Sequence, residues 1–216
     1  MWVIPEITPE FEERMMDVLN TYEKPYNADQ PVICLDEKNH QLLSNTRKTL
    51  PASPGKCRRI DYEYRREGVR NEFVVVEPKA GRRHIRTTKT RTGRDWAKLI
   101  HFIAFKMYPD ASLIHIILDN LNTHNIVYLY EVYGNDIAEE ILSRISLHNT
   151  PKHASWLDMA EIEIGIFTKQ VLKKRISDDK TLKIAKDAYV NRRNRVKAKI
   201  NWKFSKEKAR EIFKLG

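Results

Sequence analysis

Cysteine is scarce in this chain. Cys34 and Cys57 are the only two in 216 residues. Cys34 lies in an apolar run that reads as a buried strand, so a disulfide framework is excluded as the source of stability. No Cys/His spacing fits a zinc site. Acidic charge is also short: 29 Asp and Glu stand against 39 Lys and Arg, a net charge of +10. No apolar run approaches the ~18 residues that would read as a membrane span. The first residues lack the basic-then-apolar layout of a secretory signal. No internal repeat or low-complexity segment occurs. What is present is a 41% hydrophobic chain, enough for one medium domain or one domain with an appendage. Its excess of cations favours a polyanionic partner. The cytoplasm is the expected location, with DNA as the accessible polyanion.

Thr8-Pro9-Glu10 reads as a helix start, with Thr8 as cap and Pro9 at the first helical position. Phe11, Met15, Val18, Leu19 and Tyr22 follow at helical spacing, and Pro25 and Pro31 bracket a loop. Residues 32–36 read as a buried strand, with 39–44 returning as a second. Pro51, Pro54 and Gly55 mark a loop. Residues 59–66 and 70–77 read as a strand pair around Gly68, and 84–90 as an edge strand. Trp96, Leu99, Ile100, Ile103 and Met107 define a helix that Pro109 stops. A strand at 113–118, a short helix at 137–146 and a brief strand near 145–148 come next. A long helix from about Asp158 to Lys173, a basic helix over 180–200 and a short final helix complete the order. Adjacent strands followed by strand–helix alternation predict an α/β fold, a mixed sheet with helices on its faces.

Three carboxylates stand where catalytic acids belong. Asp36 ends the run Val32-Ile33-Cys34-Leu35, and Asp119 ends Leu113-Ile114-His115-Ile116-Ile117-Leu118. Glu161 lies just past Ser155-Trp156-Leu157, at a helix start. A strand-terminal Asp projects at the carboxyl end of a sheet, where α/β folds bind ligands. Two such acids and a third on a helix suit divalent ions, which take oxygen ligands and, as a pair, serve phosphoryl chemistry. Asp is also common in turns after strands, so spacing alone leaves both readings open.

The flanking residues resolve them. Val32-Ile33-Cys34-Leu35-Asp36-Glu37-Lys38 resembles the first motif of bacterial insertion-sequence transposases of the mariner-like group (insertion-sequence family six-thirty). Leu118-Asp119-Asn120-Leu121-Asn122-Thr123-His124 resembles the second, and the stretch from Thr150 through Lys152, His153 and Trp156 to Glu161 the third. Ile200-Asn201-Trp202-Lys203-Phe204 is similar to the closing segment, so the resemblance covers essentially the whole chain. It implies a ribonuclease H-like mixed sheet flanked by helices. It implies Asp36, Asp119 and Glu161 as catalytic and metal-holding acids, two Mg2+ or Mn2+ ions, and cleavage at transposon ends followed by strand transfer into target DNA. It also implies a homodimer in the active complex and a bacterial, nucleoid-associated setting. The expected division is an N-terminal helix and linker over 1–30, a catalytic domain over 31–176 and basic C-terminal helices over 177–216.

The sequence departs from the family pattern at three places. Asp158 and Ala154 stand where the family has Asn and Gly. Asp158 is expected to cap the helix of Glu161 as Asn would, with a fourth acid near the metals as the other reading. Ala154 is expected to lack a glycine-specific backbone conformation. Some 35 residues precede Asp36, too few for the helix-turn-helix that family members carry there. The chain alone is therefore expected to bind DNA weakly, and a catalytically silent DNA-binding remnant is the alternative function. Glu37 is expected behind the site or on the surface, and Glu163 on a solvated helix face. Trp156 is expected in the core. Asn120 and His124 are placed to orient Asp119 or to touch phosphate, with hydrogen bonding within their loop as the other reading. Lys152 and His153 are expected to contact DNA near the site. Arg82, Arg83, Arg86, Arg192 and Arg193 are expected phosphate contacts within the two most basic stretches.

Overall fold

The computed structural model describes residues 7–215. Helix α1 (Pro9–Glu23) starts as its residues predict, with the Thr8 hydroxyl accepting from Phe11 N–H. Five strands follow: β1 (Val32–Asn45), β2 (Tyr64–Glu77), β3 (Arg82–Thr88), β4 (Ile114–Leu118) and β5 (Ile145–Asn149). They form one sheet in the order β3-β2-β1-β4-β5. The first three strands pair antiparallel, and β1 pairs parallel with β4 and β4 with β5. The helices between and after them are α2 (Gly93–Phe102), α3 (Val127–Ser143), α4 (Ala160–Phe167), α5 (Asp179–Arg195) and α6 (Lys206–Phe213). Wider helical turns extend α2 to Met107 and α4 to Leu172.

Three expectations need correction. Residues 39–44 do not turn back; β1 runs unbroken from Val32 to Asn45. Its polar middle, Lys38 to Gln41, lies where the strand leaves the core and needs no apolar side chains. Gly68 is not a turn either. It lies inside β2 at φ 115°, opposite a register shift between Leu42 and Leu43, so it accommodates a bulge that bends the long ribbon. Residues 59–63 precede the strand. Helix α3 begins ten residues earlier than expected because Gly134, at φ 75° and ψ 177°, kinks it and conceals the first half from a periodicity reading.

Alternation along the central strands divides the core. Ile33, Leu35, Phe73 and Val75 pack with Trp96, Leu99 and Ile100 of α2 and Ala138 and Ile141 of α3 on one face. Cys34, Val76 and Ile117 face Met15, Val18, Leu19 and Tyr22 of α1 together with Leu157 and Ala160. Val74, Ile85 and Leu42 meet Ile164, Phe167 and Tyr189 of α4 and α5. With helices on both faces, β1 and β4 are buried on either side, which fits their continuous apolar runs.

Two polar devices pin helices to this sheet. Lys24 Nζ contacts His115 Nε2 at 3.1 Å, His115 Nδ1 contacts His148 Nε2 at 3.0 Å, and His148 Nδ1 contacts Asp17 Oδ2 at 2.8 Å. This chain closes α1 onto β4 and β5 with a cation at one end and an anion at the other. On the far edge, Glu163 is fully buried and corrects the expectation of a solvated helix face. Its Oε1 lies 2.9 Å from Arg83 Nε, an ion pair whose N–H is not aligned for a hydrogen bond. Arg193 binds both carboxylate oxygens at 2.9 and 2.8 Å, and the Tyr189 hydroxyl donates to Oε1 at 2.6 Å. Arg83 also donates to the Gly81 and Ala198 carbonyls. Removing one partner of such a group strands a buried charge. Glu163→Ala is therefore expected to destabilise the chain by about 3–5 kcal/mol, read from urea midpoints. A loss under about 1 kcal/mol would show that the network contributes no more than an exposed ion pair.

Candidate active site

Parallel pairing sets the site. Leu35 of β1 is level with Leu118 of β4, so the next residues, Asp36 and Asp119, lie side by side. Asp119 is just past the end of β4. Asp36 is within β1, which continues to Asn45 and corrects the expectation of Asp36 at a strand end. Strand alternation puts Asp36 on the Cys34 side and Glu37 on the side of Leu35 and Trp96. Glu161 reaches the same end from the first turn of α4, which packs on β1 and β2. It is exposed, whereas Asp36 and Asp119 are half-buried.

The two aspartates have opposite electrostatic surroundings. Burial pushes the Asp36 carboxyl up to about 7; the Glu37 N–H at 2.6 Å offsets this, and the Glu161 and Asp119 charges add to it. Burial also works to raise Asp119, but His124 overcomes it and holds the carboxyl below its ordinary range. Imidazole Nδ1 is 3.0 Å from Asp119 Oδ1, and Leu121 N–H donates to the same oxygen at 3.1 Å. The second ring nitrogen, Nε2, is 2.8 Å from Glu37 Oε1. Burial alone would lower the histidine; the two carboxylates outweigh it and push His124 up to about 10. His124 Nδ1 also lies 3.2 Å from the Asp119 carbonyl oxygen, so the hydrogen bond within the loop and the contact with the Asp119 carboxylate meet in this one residue. Glu37 stands behind the site with a side chain only 2% exposed. Asn120 accepts from Arg14 of α1 and donates to the Thr150 carbonyl, so it ties the Asp119 loop to its surroundings.

The approach to Glu161 is equally constrained. The Tyr22 hydroxyl donates to the Leu157 carbonyl at 2.7 Å and accepts from Met159 N–H at 3.2 Å. It also lies 3.3 Å from Cys34 Sγ. Asp158, between those two residues, is 1% exposed. Its Oδ1 accepts from Ala160 N–H at 2.8 Å, a turn bond one residue ahead of the α4 cap at Met159, which has no side-chain cap, so the expected capping role is corrected; Oδ2 is buried without a partner. Burial, then the nearby Asp36 charge, raises its carboxyl well above the ordinary range. Ala154 sits at φ −122° and needs no glycine; the positive φ of this loop, 61°, falls on His153 instead. Trp156 corrects another expectation, being 42% exposed with its edge against Phe204.

The donor set consists of hard oxygens on β1, just past the end of β4 and on α4, which fits a magnesium-like cation that retains several waters. Among the described residues, no three His, Cys, Asp or Glu side chains are gathered closely enough to enclose an ion as they stand. The acids form an open rim, and the repulsion felt at Asp36 is the repulsion a cation would relieve.

The basic residues separate into two groups. Lys152, His153, Arg82 and Arg192 are exposed and Arg86 is half-buried. Arg83 and Arg193 are corrections: the Arg83 side chain is fully buried and both guanidinium groups are committed to Glu163. Sequence reasoning gave too little weight to Tyr22 and Arg14, which lie far along the chain from the motifs they touch. Glu37 and His124 were the legible signal, each beside an acid in its own motif.

A sequence-family profile described as DDE superfamily endonuclease matches residues 31–183. No curated protein matches the chain in sequence. Among solved structures, the Mos1 mariner paired-end complex with Mn superposes with a TM-score of 0.55 at 13% identity, over 91% of this chain and 61% of that one. The Mos1 strand transfer complex gives 0.59 at 14%, over 88% and 57%. The paired-end complex with Mg gives 0.53 at 13%, over 88% and 57%. The likeness establishes the fold, a ribonuclease H-like mixed sheet flanked by helices. The chain spans about three fifths of the length of the structures it matches.

The buried Asp158 carboxyl generates a prediction with a definite sign. Its folded-state pKa is raised, so above the unfolded carboxylate range (about 3.9) the unfolded chain releases a proton that the folded chain keeps. Stability attributable to Asp158 falls as pH rises through that window. Asp158→Asn retains the acceptor for Ala160 and has no proton to lose. The variant is expected to melt higher than the parent at pH 7, with a flatter dependence of Tm on pH. A lower Tm at pH 7 with a parallel profile would contradict this account.

Proposed function

Because the chain belongs to the DDE superfamily of endonucleases, we propose that it is the catalytic domain of a mariner-like DNA transposase, one that cuts transposon ends and transfers the freed strand into target DNA. The observation that carries the reading is the level placement of Asp36, within β1, and Asp119, just past its parallel neighbour β4, with the Glu161 charge acting on Asp36. In this reading Asp36, Asp119 and Glu161 hold two divalent ions, Mg2+ or Mn2+. The bound ions supply activation of the attacking oxygen and stabilisation of the leaving oxygen in an in-line displacement.

The chain's own residues do the positioning. Asp119, kept ionised beside His124, is a permanent oxygen donor. Asp36, its carboxyl raised to about 7 by burial and neighbouring acids, gains most from a neighbouring cation. Glu161, exposed on the first turn of α4, faces the side from which DNA arrives. Arg82, Arg86, Arg192, Lys152 and His153 supply backbone contacts that give affinity without reading sequence. The Mos1 structures are described as paired-end and strand transfer complexes, which supports DNA as the partner and a dimeric active complex for this chain.

A nicking assay on supercoiled DNA with Mg2+ or Mn2+ tests the reading. Asp36→Ala, Asp119→Ala and Glu161→Ala are each expected to reduce cleavage to background while DNA binding stays within a few-fold of the parent, since phosphate contacts dominate affinity. Cleavage that survives all three substitutions would refute the assignment. Parent chain that binds DNA but never cleaves it would favour a silent DNA-binding remnant.

A further inference from the structure

Glu37 touches both aspartates, Asp36 through its backbone N–H and Asp119 through a single intervening side chain. Its backbone N–H donates to Asp36 Oδ1 at 2.6 Å. Its carboxylate accepts from His124 Nε2 at 2.8 Å, and His124 Nδ1 approaches Asp119 Oδ1 at 3.0 Å. The His124 and Glu37 side chains are 1% and 2% exposed, too enclosed to reach a DNA phosphate. The Trp96 ring lies 5.9 Å from the imidazole centroid to centroid, so the pair is packed as well as hydrogen-bonded. On each aspartate, Oδ1 is taken by protein donors. Among the described residues, Oδ2 of neither aspartate has a protein donor.

Resting on the reading that these aspartates hold divalent ions, we propose that Glu37 is the shared positioning residue of the site. Its backbone N–H holds the Asp36 carboxylate, and its side chain, through His124, holds that of Asp119, so that each presents a single oxygen, Oδ2, to the metal. A carboxylate free to rotate offers either oxygen in turn and must be ordered when the ion binds. Partners that hold it in advance remove that cost, and losing them typically weakens metal binding about 10–100-fold. The arrangement follows from strand alternation. Asp36 and Glu37 point to opposite sides of β1, so Glu37 is free to reach under the sheet end to the loop after β4, where His124 completes the link.

The test is Mn2+ binding to the chain without DNA, by titration calorimetry, alongside circular-dichroism melts. Glu37→Ala and His124→Ala are each expected to bind Mn2+ about 10–100-fold more weakly than the parent. The double variant should be little worse than either single one, because the two residues act as one unit. Glu37→Gln, whose amide oxygen still accepts from Nε2, should recover most of the affinity. A second measurement needs no variant to fold: in the parent chain labelled with 15N-histidine, the His124 ring signals should shift saturably with Mg2+ although the ring does not ligate it. If the parent binds Mn2+, Asp36→Ala does not, and Glu37→Ala binds like the parent, the positioning role is overturned while the metal site stands. Absence of a His124 shift in a chain that binds Mg2+ overturns it equally. If the parent binds neither ion, the metal reading fails and this inference fails with it.

Discussion

Like charges brought together where β4 ends beside the continuing strand β1 are the constraint around which this molecule is arranged. The strands cannot move apart to relieve it, since β1 and β4 are hydrogen-bonded neighbours buried on both faces. The repulsion is therefore handled locally, and differently at each acid. Asp119 receives a cation, His124, itself held by a second carboxylate. Asp36 receives only a backbone N–H, and its carboxyl rises to about 7. Asp158 is sealed away from water with one oxygen unpartnered. Glu161 is left in solvent. Asp36, Asp119 and Asp158 thus differ in how readily they ionise, which is the pattern expected where groups are tuned for a task.

The basic excess has a comparable division of labour. A net charge of +10 invites the assumption that every cationic run faces a phosphate. Arg83 and Arg193 instead turn inward to Glu163, and Lys186 donates to Thr87 across the sheet edge. These contacts fasten α5 to β3. Buried pairs of this kind contribute little net stability compared with apolar packing, but they are costly to break and they fix one arrangement. Part of the positive charge therefore orients the helix that carries the rest.

Much of the fold was legible in local chemistry. The Thr8 cap, the apolar spacing of α2, the apolar runs of β1 and β4 and the edge position of β3 are each specified within a short window, and all are present. Failures occurred where the determining contact was distant or the local signal ambiguous. Gly68 reads the same in a turn as in a bulge, and only its pairing opposite Leu42 and Leu43 distinguishes them. Gly134 broke the helical period of α3. Glu163 looks like any surface glutamate until β3 and α5 bring two arginines to it. At the site, the acids were legible because motifs surround them. Their supporting residues were only partly so, because Tyr22 and Arg14 act across more than a hundred residues of chain.

Those last two residues bear on what belongs to the site. Helix α1 precedes every motif, yet it reaches the catalytic end by two routes and the sheet by a third. Arg14 binds the residue after Asp119. Tyr22 binds the backbone on either side of Asp158, where the chain turns into α4. Asp17 and Lys24 close the histidine chain on β4 and β5. A shift of α1 would displace the Asp119 loop and the start of α4 together, because each contact ends on backbone or on a side chain fixed to it. The separation between two acids on strands and one on a helix is therefore set from outside the sheet. The helix that precedes the first motif is a structural part of the active site rather than a lead-in to it.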